Sequence, residues 1–193
     1  MSKWFDMDNP IWRFMSRVAD AFILSVLWAV FSIPIVTIGA STTAMYYVSL
    51  KMAEGTEEYT FRMFVKSFKE NFVAATVSWL IILAVGALYI LTYSGIIHIV
   101  IGFVIIVSTI LVFPLLSRLS ATGGKLFAMA FMTAIKNFGW TLFMIVIVGC
   151  FLAVGIFVFW PVLVFTPGAV ALLHSIILTK MIFPRYGWNM GKD

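Results

Sequence analysis

Charged positions cluster along this chain, leaving three long stretches without a single Asp, Glu, Lys or Arg: Ala21–Leu50, Asn71–Ser117 and Asn137–Thr179. Each stretch is apolar almost throughout. A helix needs ~20 apolar residues to cross a bilayer, so the second and third stretches each hold two crossings. The second is punctuated at Thr92-Tyr93-Ser94-Gly95 and the third between Trp160-Pro161 and Thr166-Pro167-Gly168, runs that favour turns. The pattern predicts two helical hairpins with almost no chain at their far ends.

The first stretch is too long for one flat crossing and too short for two. Asn9 can cap a helix whose first position is Pro10, where no N–H is needed. Ile11, Phe14, Met15, Val18 and Phe22 then recur at helical spacing, with Arg13, Ser16, Arg17 and Asp20 on the other face and Trp12 suited to headgroup level. Pro34 disfavours helix in the residue before it, ending this helix near Ile33. A weak internal repeat bears on the chain beyond Pro34. Thr37-Ile38-Gly39-Ala40 precedes Lys51-Met52 at the spacing with which Thr166-Pro167-Gly168-Ala169 precedes Lys180-Met181. Asn71-Phe72 and Asn137-Phe138 likewise stand at the mouths of the two hairpins. Duplication of one supersecondary unit explains this, and shared membrane composition is the alternative. On the duplication reading the first stretch is also a hairpin, with a turn over Pro34–Gly39 and a short return helix to Leu50.

The expected fold is all-α: a polytopic transmembrane bundle of three helical hairpins, with five full spans and one short or re-entrant segment. It forms one integral membrane domain, the hairpins occupying 10–52, 59–117 and 124–183. The basic residues agree. Lys3, Arg13 and Arg17, the loop Lys51–Glu70, the loop Arg118–Lys136, and Lys180, Arg185 and Lys192 all fall on one side, leaving the far turns without a cation. Cationic loops mark the cytoplasmic face, which places both termini in the cytoplasm. Phe61, Phe64, Val65, Phe68 and Phe72 form one helical stripe, and Phe127, Ala130, Phe131, Ala134 and Phe138 another. These are either amphipathic helices on the inner leaflet or inward extensions of the membrane helices.

A composition of 63% hydrophobic and 11% charged residues puts the chain in the membrane class and makes the bilayer its first partner. The net charge of +5 belongs to topology and implies no nucleic-acid partner. Cys150, the only cysteine, lies in an apolar stretch and reads as a small buried hydrophobe. Asp6, Asp8 and Asp20 are out of place in a signal peptide, although Ile38-Gly39-Ala40 resembles a cleavage site.

Catalytic patterns are missing: no His-Glu-x-x-His, no Gly-x-Ser-x-Gly, no intramembrane Asp pair. Gly123-Gly124-Lys125 lacks the hydroxyl and upstream glycine of a phosphate loop and reads as a turn. With only His98 and His174, and no carboxylate in the apolar stretches, a metal site is not expected. The chain is read as a non-enzyme without cofactor.

The candidate ligand or helix-break site lies elsewhere. Return helices over Gly39–Leu50 and Gly168–Thr179 are about 18 Å long at ~1.5 Å per residue, against a hydrocarbon core of ~30 Å. Their Thr-x-Gly-Ala turns then sit at membrane depth. Thr37, Gly39, Ser41, Thr42, Thr43 and Tyr46 gather at the first, and Thr166, Gly168 and His174 at the second. Interrupted segments at matched positions point to transporter sites; the plainer reading is that small residues let helices pack closely. For His174 a hydrogen bond across helices is the favoured reading.

The run Phe31-Ser32-Ile33-Pro34-Ile35-Val36-Thr37-Ile38-Gly39-Ala40-Ser41-Thr42-Thr43-Ala44-Met45-Tyr46-Tyr47 resembles the signature of the YesL-like family of small bacterial membrane proteins. Phe64-Val65-Lys66-Ser67-Phe68-Lys69-Glu70-Asn71-Phe72 and Phe113-Pro114-Leu115 also fit. The resemblance implies a multi-pass protein of the bacterial plasma membrane, encoded near genes for uptake and breakdown of complex carbohydrates. It therefore implies an accessory subunit or small permease in carbohydrate uptake, with a sugar permease or a second copy of the chain as partner. A structural or regulatory protein docking other membrane proteins through its amphipathic loops is the alternative. No family residue roles carry over, and substrate, ligand and oligomeric state stay open.

Overall fold

Pro10 opens the first helix, as its fixed φ and missing N–H favour, and the chain runs helical to the Ser32–Pro34 bend. The computed structural model describes residues 10–56, 59–91, 95–119 and 123–188, without the side chains of 10–14 and 95–100. The turn expected at Thr92–Ser94 and the side chain of His98 therefore lie outside the described residues. Among the described residues there are seven α-helices and no strand: α1 Pro10–Phe31, α2 Ile38–Glu54, α3 Thr60–Leu91, α4 Gly95–Leu116, α5 Gly124–Lys136, α6 Phe138–Phe157 and α7 Val162–Ile177. A short 3-10 turn, Ile35–Thr37, joins α1 to α2, and α7 continues through a π turn, Leu178–Ile182, into Phe183–Tyr186. Among the described residues three helices are long and apolar enough to cross a membrane: Thr60–Leu91, Phe138–Phe157 and Val162–Tyr186, with Ile101–Leu116 as a shorter apolar helix.

The ends of α2, α4 and the α7 segment meet at one end of the bundle. The Thr60 hydroxyl donates to Asp20 at 3.3 Å, bringing the start of α3 to α1, and Arg118 after α4 pairs with Glu54 at the end of α2. These residues define a charged end of the bundle. Contacts are richest between α2 and α3 and between α1 and α7, so α2 is central. Its residues Ala44, Val48 and Leu50 are fully buried. Phe64, beneath it on α3, packs edge-on against Phe31 of α1 at 5.4 Å between ring centroids.

Three sequence expectations change. The stripe from Phe61 to Phe72 is not a separate interfacial helix. It is the beginning of the continuous 32-residue α3, about 48 Å long, because no proline interrupts Thr60–Leu91. Its counterpart is a helix of its own: α5 ends at Asn137, whose φ of −118° and ψ of 39° break the ladder before α6. Cys150 is exposed on α6 rather than buried. The third hairpin departs furthest. Its turn falls between Phe157 and Val162, and Thr166-Pro167-Gly168 lies inside α7. The last segment is thus 25 residues long, Val162–Tyr186, instead of a short return from Gly168.

Candidate functional site

At the first Thr-x-Gly-Ala segment the backbone does turn, and side chains close it. The Thr37 hydroxyl lies 2.7 Å from the carbonyls of both Phe31 and Pro34 and can donate to either. Trp79 of α3 donates its indole N–H to the Ile35 carbonyl at 2.8 Å. Gly39 faces α3 so closely that a Cβ there would stand 2.5 Å from the Ala75 carbonyl oxygen and 2.6 Å from Trp79 Cβ. Small residues let membrane helices approach in this way. Thr42 donates to the Ile38 carbonyl at 2.7 Å and accepts from the Trp28 indole at 3.0 Å. Thr43 returns its hydroxyl to the Gly39 carbonyl at 2.9 Å. The Ser41 hydroxyl is buried and without a hydrogen-bond partner among the described residues, as are those of Ser49 and Ser175.

The second segment closes differently. Pro167 has no N–H, and its ring displaces the carbonyl one turn back. The Gly168 N–H finds its acceptor on another helix, donating to Ser25 Oγ of α1 at 2.9 Å. Ser25 in turn donates to the Ala21 carbonyl at 2.9 Å. Neighbouring hydroxyls re-satisfy proline-freed backbone in membrane helices, and this explains why the helix continues where the sequence suggests a stop. A Cβ on Gly168 would fall inside van der Waals contact of the Ala21 carbonyl and Ser25 Oγ. Thr166 only bonds its own helix, at the Val162 carbonyl, 3.0 Å away.

Tyr46 and His174, assigned from sequence to different breaks, meet. The Tyr46 hydroxyl lies 2.9 Å from His174 Nδ1, and His174 Nε2 lies 3.0 Å from the Met144 carbonyl. A carbonyl only accepts, so Nε2 carries the proton, and bare Nδ1 accepts from the Tyr46 O–H. Both ring nitrogens are occupied. This chain of bonds fastens α2, α7 and α6 at one level, the bond across helices expected of His174 being made on both sides of its ring.

Sequence reasoning missed a second polar cluster, at the charged end. Arg118 donates to Glu54 and to the Trp188 carbonyl, and its guanidinium carbon sits 4.4 Å above the centre of the Phe183 ring. Burial lowers the Arg118 pKa from its ordinary value, and the hydrogen bond and charge of Glu54 oppose that shift. Arg185 donates to Asn137 Oδ1 at 3.0 Å, while Asn137 Nδ2 donates to the Tyr186 hydroxyl at 2.9 Å. The segment Phe183–Trp188 thereby straps α2, α4 and the α5–α6 junction together. The available signal was the placement of Arg118 and Asn137 at the very edges of apolar stretches.

Two cavities among the described residues are apolar. One, of about 430 Å³, lies between α3, α4 and α5, lined by Ile81, Val85, Ile105, Phe127 and Phe131 with the Ser108 and Thr109 hydroxyls. The other, of about 390 Å³, lies over α7 between α1 and α6. Neither is lined by Tyr46, His174 or any of the Thr-x-Gly-Ala residues except Ala169.

No curated protein and no solved structure matches the chain. The model of the family described as "Protein of unknown function, DUF624" matches residues 21–94, covering the second half of α1, the 3-10 turn, α2 and α3, and this is the family to which YesL-like proteins belong.

Proposed function

We propose that this protein is a non-enzymatic accessory subunit of a membrane uptake system, with complex carbohydrate as the substrate class implied by the family resemblance. The observation that carries the reading is the engagement of Tyr46, His174, Thr37, Thr42 and Thr43 with neighbouring helices or their own backbone. A permease needs polar groups free to exchange partners with a solute; Tyr46, His174 and Thr42 are instead bonded between helices, and Thr37 and Thr43 to nearby backbone. The structural or regulatory alternative draws on α5, where Met132 is 63% and Ile135 57% exposed on a short amphipathic helix beside the charged end.

In the bilayer, the charged end faces the cytoplasm with both termini, and the first hairpin is re-entrant. Its turn docks on α3 at Trp79, roughly 18 Å short of Leu91 at ~1.5 Å per residue. That amends the five full spans expected from sequence to four, contributed by α3, α4, α6 and α7. Cysteines at Lys3 and Lys192 in a Cys150→Ser background should both resist an impermeant thiol reagent on intact cells. Labelling at Lys3 alone restores a model in which the amino terminus is exported.

Copurification from detergent tests the role. A stable complex with a sugar permease is the expected result. Oligosaccharide movement into liposomes holding this protein alone would make it a permease and overturn the accessory reading.

A further inference from the structure

The two apolar cavities differ at their rims. In the groove over α7, Val18 and Ala21 of α1 form one wall and Phe151 of α6 the other, with Leu172, Leu173 and Ile176 among the floor residues. Arg17 also lines it, beside Met52 and Ala53 at the charged end of α2. Among the described residues Arg17 has neither a hydrogen-bond nor an ion-pair partner. Lys180 follows Ile176 by four residues at the same end of the segment. The groove between α3, α4 and α5 is of similar size, and no charged residue lines it.

We propose that the groove over α7 is a binding site for one anionic phospholipid, an acyl chain lying over Leu172, Leu173 and Ile176 and the phosphate headgroup meeting Arg17. The pairing follows from charge complementarity and position. An acyl chain finds a furrow of apolar side chains at membrane depth. A cation at the charged end of that furrow stands where an anionic headgroup attracts Lys and Arg. Guanidinium also matches phosphate geometry with a planar pair of donors, which an ammonium does not. The second groove offers the same apolar volume without a cation and takes lipid chains without regard to headgroup.

Native mass spectrometry of the full chain in detergent, with phosphatidylglycerol and phosphatidylcholine of identical acyl chains supplied in equal amounts, reads this directly. Wild type retains phosphatidylglycerol about fivefold over phosphatidylcholine, the factor expected of one basic residue near an anionic surface. Arg17→Gln brings the ratio close to one, whereas Arg17→Lys keeps part of the preference. Ala169→Phe fills the groove floor without touching the charge, and it also abolishes the preference. Ala128→Phe, in the other groove, leaves it unchanged. Equal retention of both lipids by wild type, or a full preference surviving in Arg17→Gln, overturns the site.

Discussion

The two Thr-x-Gly-Ala segments have nearly the same sequence and opposite backbones. Thr37–Ala40 leaves a 3-10 turn and opens a helix; Thr166–Ala169 lies inside one. What they share is the glycine's task. Gly39 brings α2 against the Ala75 carbonyl of α3, and Gly168 brings α7 against the Ala21 carbonyl of α1. The motif specifies close approach to a neighbouring helix, and whether the chain also turns is decided by its flanks. Before Thr37 stands Ile33-Pro34, with Trp79 supplying a donor to the freed carbonyl of Ile35. Before Gly168 stands Pro167, and Ser25 supplies the acceptor that keeps the helix running.

That comparison can be broken most forcefully at the glycines. Gly168→Ala should destabilise the protein in detergent by about 3 kcal/mol, at the upper end of overpacking costs because the obstacle is backbone. Gly39→Ala should cost about 2 kcal/mol, part of its clash being with the Trp79 side chain. Gly149→Ala, with open space around it, should be neutral or stabilising by up to ~1 kcal/mol. Equal stability of all three in equilibrium unfolding would refute the close-approach account.

Smaller effects sharpen it. His174→Leu removes two interhelical bonds and should cost about 1–2 kcal/mol, while Tyr46→Phe should cost about 0.6–1 kcal/mol. A double-mutant cycle between them should show coupling, since the pair shares one bond. Ser25→Ala strands the Gly168 N–H and should cost about 1 kcal/mol. No position in the first segment should respond to it. Thr43→Val deletes only a bond to its own helix and should shift stability by less than ~0.5 kcal/mol. A large loss there would mean that Thr43 serves something other than its helix.

Hydrophobic blocks and cation placement make the all-helical class legible, and the Pro10 start and Pro34–Gly39 turn follow from backbone chemistry alone. The third turn is misplaced by sequence because Pro167 and Gly168 ordinarily act as breakers, and the compensation lies far away along the chain, at Ser25. Periodicity does not separate an interfacial helix from an inward extension. One stripe forms a helix of its own and the other the start of a longer one, since Asn137 ends α5 while Asn71, which also returns its amide to the residue four back, sits within α3. Tyr46 and His174 stand out singly, as polar groups in apolar surroundings. Their meeting depends on α2 and α7 packing side by side, a tertiary fact with no local trace.

The proposed reading gives the polar residues near these segments a role in holding the fold rather than in binding a solute. Growth on complex carbohydrate by cells carrying Thr43→Val together with His174→Leu, compared at matched membrane abundance, tests it most directly. Wild-type growth is expected once abundance is equal, the lost hydrogen bonds showing only as a lower unfolding temperature. Abolished growth with abundance and unfolding temperature both unchanged would contradict the claim and return Thr43 and His174 to a ligand site.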